Sequence, residues 1–462
     1  MKRTAVLVLM AMLVAVGASA CASESGGNSP AGSPDAATVQ TGGGKASGEV
    51  VTVRMNLQAG EITEDQIAEF EKENPGIKIQ REDTDPTKLA AQLATGDAPD
   101  LIRVQGVTEL PSYVIKGIAM DLTSRIESSD AIKADDLLPV ANVYRFDGKT
   151  VGQGPIYGLP KDWSPDFTLF YNKQLFDAAD VPVPDAGVPM TWNQVFDLAK
   201  QLTIVKDNKV QQYGLALYDN DKTEAGYPML LQFLASKGAD LNANGFDAIN
   251  FDTPEVKEFF NLWSDAVAAG IGPNSINNDT TPGMPQFVDG KVAMIAAGYW
   301  FSGVIRGDEK AKTHLEDYGM LPAPIAEGGI RVSPTGGASG LIINKNTKHP
   351  EEAWKFFEWF FVGKPAQDRA SLGWGVPITG SLMSLMPQEM DFDKRTYEIL
   401  QSELQYTNGY LTVNPYLSNA NTLIQKYMTP VYFKKSTVDD AVKSMTKDAN
   451  IMISESKGAV AP

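Results

Sequence analysis

The sequence predicts an α/β protein in two lobes, on two observations. Strand-like and helix-like segments alternate at short spacing through residues 50–104, as in a parallel sheet with right-handed crossovers. About 415 residues then remain to fold, more than one hydrophobic core ordinarily organises.

Val50–Leu57 alternates with a period of two and reads as the first strand. Thr63-Glu64-Asp65-Gln66 fits a capping box, Ile67 and Phe70 share one helical face, and Pro75-Gly76 stops that helix. Ile77–Gln80 is a second strand. Leu89, Ala90, Leu93 and Ala94 mark a second helix, closed by Gly96-Asp97-Ala98-Pro99, and Leu101–Val104 is a third strand. Ligands of such sheets bind in the crevice at the carboxyl ends of the strands. Farther along, Phe167–Asn172 reads as a strand and Thr191–Thr203 as a helix with its own capping box, Thr191 and Gln194. Pro254–Ala269 and Pro350–Phe361 read as amphipathic helices, and Val292–Ala296, Gly319–Leu321 and Gly340–Ile343 as short strands. Beyond about residue 390 the pattern is mainly helical. It ends in Thr437–Ser456, where Val438, Ala441, Val442, Met445, Ala449 and Met452 form a core stripe.

The amino-terminal 48 residues are of another kind. Lys2 and Arg3 precede Ala5–Val16, twelve apolar residues that are too few to span a bilayer, which takes about 20. Residues 1–20 therefore read as a signal peptide. Gly17-Ala18-Ser19-Ala20 leads into Cys21, the single cysteine, and this junction resembles the bacterial lipobox, with Ala18 where Leu is usual. The resemblance makes Cys21 a lipidation site and the protein a lipoprotein on the extracytoplasmic face of a cell membrane. Residues 22–48 are almost entirely small and polar and cannot offset their ordering entropy by burial. As a flexible coil they reach roughly 30 Å.

Losing Lys2 and Arg3 takes the net charge from −17 to −19, which argues against nucleic acid as a partner. One cysteine permits no disulfide framework and no cysteine-based metal site. The two histidines, His314 and His349, lack metal-ligand spacing. Gly148-Lys149-Thr150 ends like a phosphate-binding loop, but Val143 stands where its first glycine belongs. Asp219-x-Asp221-x-Thr223 starts like a calcium loop and then places Glu224 and Leu230 where Gly and Glu are needed. Ser339 lies outside any nucleophile-elbow spacing. No metal or organic cofactor is expected. A glycosidase, which needs only two of the 57 carboxylates, stays open.

The tryptophans separate by context. Trp263, Trp354 and Trp359 lie in apolar helical runs and Trp192 in a first helical turn, so these read as structural. Trp163, Trp300 and Trp374 stand beside turn formers or charge. Rings held on loops at strand ends suit a sugar, whose C–H face lies flat on an indole. Covering about 60 Å² in this way contributes roughly 1.5 kcal/mol. Asp162, beside Trp163, offers an acceptor for a hydroxyl.

These segments resemble, in order and spacing, the sugar-type extracellular solute-binding proteins of ABC importers. The likeness runs over most of residues 50–385. It rests on Phe70-Glu71-Lys72-Glu73-Asn74-Pro75-Gly76-Ile77, Gly96-Asp97-Ala98-Pro99-Asp100-Leu101, Tyr157-Gly158-Leu159-Pro160, Leu169–Phe176, Thr191-Trp192, Phe287–Met294, Tyr318–Pro322, Gly336-Gly337 and His349–Lys355. It implies a two-lobe periplasmic-binding-protein-like fold, hinged by crossing strands, with the ligand cleft between the lobes. Lobe one comprises residues 49–162 and 292–363, and lobe two residues 163–291 and 364–462. The matching ligand positions are Glu61 and Gln105 on loops after the first and third strands, Asp162 and Trp163 at the hinge, Tyr299 and Trp300 in a turn, Gly336 and Gly337, and Trp374. The two glycines are expected to offer backbone N–H groups to a hydroxyl. The implied function is non-catalytic: a lipid-anchored, monomeric protein that closes on a carbohydrate and delivers it to the transmembrane subunits of a permease. A binder of a non-sugar solute and a secreted glycoside hydrolase are the alternatives.

Overall fold

The computed structural model describes residues 50–218, 222–242, 245–279, 281–335, 337–407, 411–417 and 419–460. The signal peptide, Cys21, the low-complexity stretch and Gly336 lie outside the described residues.

The first sheet holds β1 (Val51–Asn56), β2 (Ile77–Glu82) and β3 (Leu101–Gln105), which pair in parallel as the alternating pattern predicts. The intervening helices start and stop where their caps dictate. Thr63 and Gln66 form the capping box of Glu64–Glu73. Asp85 caps Pro86–Thr95, which ends on the left-handed Gly96. A short hairpin, β4 (Arg145–Phe146) and β5 (Val151–Ile156), leads into β6 (Gly158–Pro160), which lies at the far edge of this sheet.

The second sheet contains β7 (Thr168–Asn172), β8 (Ile204–Lys206), β9 (Lys209–Leu217), β10 (Val292–Ala297) and β11 (Tyr318–Leu321), in the order β11-β7-β10-β9-β8. The chain re-enters the first sheet with β12 (Ser339–Ile343), antiparallel to both β3 and β6.

This topology corrects the expected return to lobe one at Val292. All six residues of β10 are buried, and the strand lies between β7 and β9 at the centre of the second sheet. Its uninterrupted apolar run is that of a strand covered on both faces, and only such a central place covers it. The re-entry comes at β12. The helix Lys364–Leu372, expected in lobe two, packs instead against Pro350–Val362 beside the first sheet. There Arg369 Nη2 donates to the Phe360 carbonyl and Gln66 Nε2 donates to Asp368.

β9 escapes sequence detection because its first three residues, Val210 among them, are exposed while the next six, Gln212 among them, are buried. Gly214 in its middle is obligatory, since a Cβ there falls 2.0 Å from the Ala199 carbonyl oxygen of the helix Trp192–Leu202.

Each sheet has its own apolar layer. Phe70, Phe356 and Phe360 pack beneath the first, with Phe70 edge-on to Phe356 at 5.1 Å. Phe170, Phe287, Phe301 and Tyr318 pack beneath the second. Trp192 and Trp263 are fully buried. The terminal helix Val438–Val460 buries Val438, Ala441, Val442, Met445 and Ala449, five residues of the expected stripe.

Candidate functional site

Three chain segments cross between the sheets, and their backbones are tied side by side. Lys161 N donates to the Ser339 carbonyl, and Trp163 exchanges two backbone hydrogen bonds with Val376 at 3.1 and 2.7 Å. Farther on, the Gly337 N–H donates to Asp166 Oδ2 at 3.1 Å. Each crossing carries a residue with positive φ: Phe167 at 73°, Ala338 at 51° and Gly375 at 112°. For Phe167 this is an uncommon conformation that its surroundings must impose.

Above these crossings a cavity of about 840 Å³ opens between the carboxyl end of the first sheet and one face of the second. Its volume lies in the range typical of small-molecule sites. Gln58, Glu61, Thr63, Gln66, Arg103, Gln105 and Asp368 line the first-sheet side. Trp163 and Asp166 form the floor, and Tyr218, Met284, Val288, Trp300 and Val304 line the second-sheet side with Trp374.

Seven of the nine expected ligand positions thus border one cavity: Glu61, Gln105, Asp162, Trp163, Trp300, Gly337 and Trp374. Two do not join them on the described structure. Gly336 lies outside the described residues. Tyr299 is corrected: it is fully buried in the apolar layer of the second sheet, while its neighbour Trp300 faces the cavity. The chain enters the helix Phe301–Gly307 here, so adjacent side chains point in different directions and only one reaches the opening. Gly298, just before, is required by close approach, since a Cβ there falls 2.3 Å from both Asp166 Oδ1 and Ser164 Oγ.

The roles expected of three lining residues also change. The Gly337 N–H is occupied by Asp166, so a hydroxyl does not find it free. Glu61 and Asp162 are parts of a charge cluster. Arg103 Nε donates to both Glu61 oxygens at 2.8 and 2.9 Å. Lys161 Nζ lies 3.5 Å from Glu61 Oε1 and 2.6 Å from Asp162 Oδ2. Burial raises the Glu61 carboxyl, and the adjacent Lys161 and Arg103 charges reverse this and hold it below the usual carboxylate range. Behind the cluster, burial lowers the Arg369 guanidinium to about 10. It stacks over the Phe360 ring at 4.4 Å. Arg103, Lys161 and Arg369 were not singled out in the sequence. A strand or helix carrying a lone cation looks like any solvated face, and only the fold brings the three together.

The indoles are held firmly. Trp163 Nε1 donates to the Pro377 carbonyl at 3.3 Å, and the ring packs against the apolar layers of both sheets. Trp300 meets Tyr218 edge-on at 5.4 Å. Trp374 follows the left-handed Gly373, and its backbone N–H donates to the Arg369 carbonyl. Among the described residues no group of three His, Cys, Asp or Glu side chains could hold a metal ion. No described helix is long and apolar enough to cross a membrane.

The family model described as bacterial extracellular solute-binding protein matches residues 56–362. A protein of Brucella abortus named as a binding protein is 27% identical over 329 residues, covering 68% of this chain and 73% of that one. The maltodextrin-binding protein MdxE of Bacillus subtilis is 26% identical over 365 residues, covering 76% of this chain and 75% of its own. Among solved structures, an ABC substrate-binding protein of Listeria monocytogenes in complex with cycloalternan superposes with a TM-score of 0.70 at 22% identity. The match covers 88% of this chain and 99% of that one.

Proposed function

Because the chain belongs to the bacterial extracellular solute-binding protein family, we propose that it is the carbohydrate-binding subunit of an ABC importer, non-catalytic and anchored outside the membrane by a lipid on Cys21. The observation that carries this reading is the cavity between the sheets, which sets three indoles against a wall rich in amide and hydroxyl side chains. Indole faces cover the C–H patches of pyranose rings, and Gln58 and Gln105 offer donors and acceptors to hydroxyls. The maltodextrin named for the Bacillus relative and the cycloalternan in the Listeria structure agree with a carbohydrate guest.

The Glu61 carboxylate does not suit the general-acid step of hydrolysis. Glu61 is clamped by Arg103 and Lys161, whereas a general acid needs a raised carboxyl. The sheets act as the faces of two lobes, and the three crossing segments serve as the hinge. A sugar touching both faces shifts the protein towards the closed state by its differential affinity for that state. The closed lobes then meet the transmembrane subunits of the permease, with the protein acting as a monomer.

A thermal-shift screen with mono-, di- and trisaccharides tests this reading, since a tight ligand raises the unfolding temperature by mass action. At least one oligosaccharide is expected to stabilise the protein without being cleaved. Release of shorter sugars identifies a hydrolase instead, and stabilisation only by an amino acid, polyamine or phosphodiester identifies a different solute.

A further inference from the structure

The two walls of the cavity differ in kind. On the first-sheet side most side chains carry a hydrogen-bonding group, with the apolar Ile62, Pro365 and Leu372 interspersed among them. On the other side the helix Gly283–Val288 presents Met284 and Val288, and the helix Phe301–Gly307 presents Val304. Tyr218 and Trp300 lie beside them. These five side chains pack on the apolar layer of the second sheet and show their remaining surface to the cavity. Among the described residues the one charged group on this wall is Asp308, which already accepts from the backbone N–H groups of Lys310 and Ala311.

We infer that the solute is a sugar bearing an apolar substituent, a methyl or an aryl group, that seats on Met284, Val288 and Val304. This rests on the carbohydrate reading above and narrows it. An indole or phenol ring tolerates a hydroxylated pyranose, because the sugar turns its C–H face to the ring and its hydroxyls outward. Aliphatic branches beside the ring offer no partner to a hydroxyl that closure presses against them, and an unpaired buried hydroxyl is penalised. A 6-deoxy methyl or an aromatic aglycone is instead favoured there, because closure removes apolar surface from water on both sides. The polar wall meanwhile rejects an all-apolar ligand, whose burial strands its amides and hydroxyls. Only a guest with one hydroxyl-rich edge and one apolar projection satisfies both walls.

The test is isothermal titration of the intact protein with matched pairs: maltotriose and 4-nitrophenyl maltotrioside, cellobiose and 4-nitrophenyl cellobioside, D-galactose and its 6-deoxy analogue D-fucose. In the pair that binds, the substituted member is expected to bind at least tenfold more tightly. Val304→Asn and Met284→Gln are each expected to cut that ratio to below threefold. Equal or tighter binding of the unsubstituted member overturns this inference and leaves the carbohydrate reading standing. A tenfold preference that both variants retain also overturns it, since the substituent then seats elsewhere. Failure of every sugar in the panel to bind overturns both.

Discussion

Inside the cleft, Glu61 is held charged by Arg103 and Lys161 despite being mostly buried. Glu61→Gln leaves the Arg103 guanidinium, itself only 15% exposed, without its carboxylate. Breaking a buried pair from one side typically costs about 3 kcal/mol, and denaturant unfolding at pH 7 is expected to show a loss of that order. The pH dependence has a definite sign. The folded-state value is depressed, so the stabilisation is complete above the unfolded carboxyl's range and is lost only as pH falls through the lower folded value. The gap between the parent and Glu61→Gln should therefore persist at pH 5 and narrow towards pH 3. A gap that already closes at pH 5 contradicts the clamp. For the indoles, Trp300→Ala and Trp374→Ala are each expected to weaken sugar binding about tenfold with the fold intact, from roughly 1.5 kcal/mol of ring coverage. Unchanged affinity by calorimetry in both removes them from the site. Trp300 and Trp374 stand out in the sequence because glycines and turn formers surround them, and both line the cavity. Tyr299 was misread because its immediate neighbours look the same in sequence, and the direction of a side chain at a helix start is settled only by the fold.

Among the elements, β1, β2 and the helix after β2 are locked together by one carboxylate. Burial raises Glu82, and hydrogen bonds from Lys88, Gln92 and Arg54 bring it down to about 2. Glu82→Gln is expected to destabilise the first sheet by about 2 kcal/mol, the range for hydrogen bonds to charged groups. The parent should keep this contribution above the ordinary carboxyl range and lose it as pH falls towards 2. An identical acid-unfolding profile in the variant contradicts that role. At the crossing of β6 and β12, Gly340 allows the backbones to touch, and a Cβ there lies 1.9 Å from the Leu159 carbonyl oxygen. Gly340→Ala is expected to lower stability by at least about 4 kcal/mol or to prevent folding. Capped helices and the parallel start of the first sheet were readable because those signals are local. The position of β10 was not. A short, wholly apolar strand announces that it is buried on both faces but not in which sheet, and its partners β7 and β9 are distant in the chain.

At the scale of the whole molecule, the two five-stranded sheets are joined by three chain crossings gathered in one small region. Phe167 and Ala338 hold left-handed backbone there without being glycine. Such a conformation costs about 1–3 kcal/mol and persists only where the surroundings impose it. Ala338→Gly removes that cost from the folded state, so it is expected to raise the unfolding temperature, and an unchanged or lower unfolding temperature contradicts the strain. The overall architecture was legible from the order of many weak motifs, whereas the polar and aliphatic walls of the cavity emerge only when distant segments are brought face to face.

The most direct measurement is a crystal structure with the tightest-binding sugar from the screen. Density for the sugar is expected between the two sheets, in contact with Trp300 and Trp374 and above Trp163. Sugar bound elsewhere, with those three indoles untouched, contradicts that expectation.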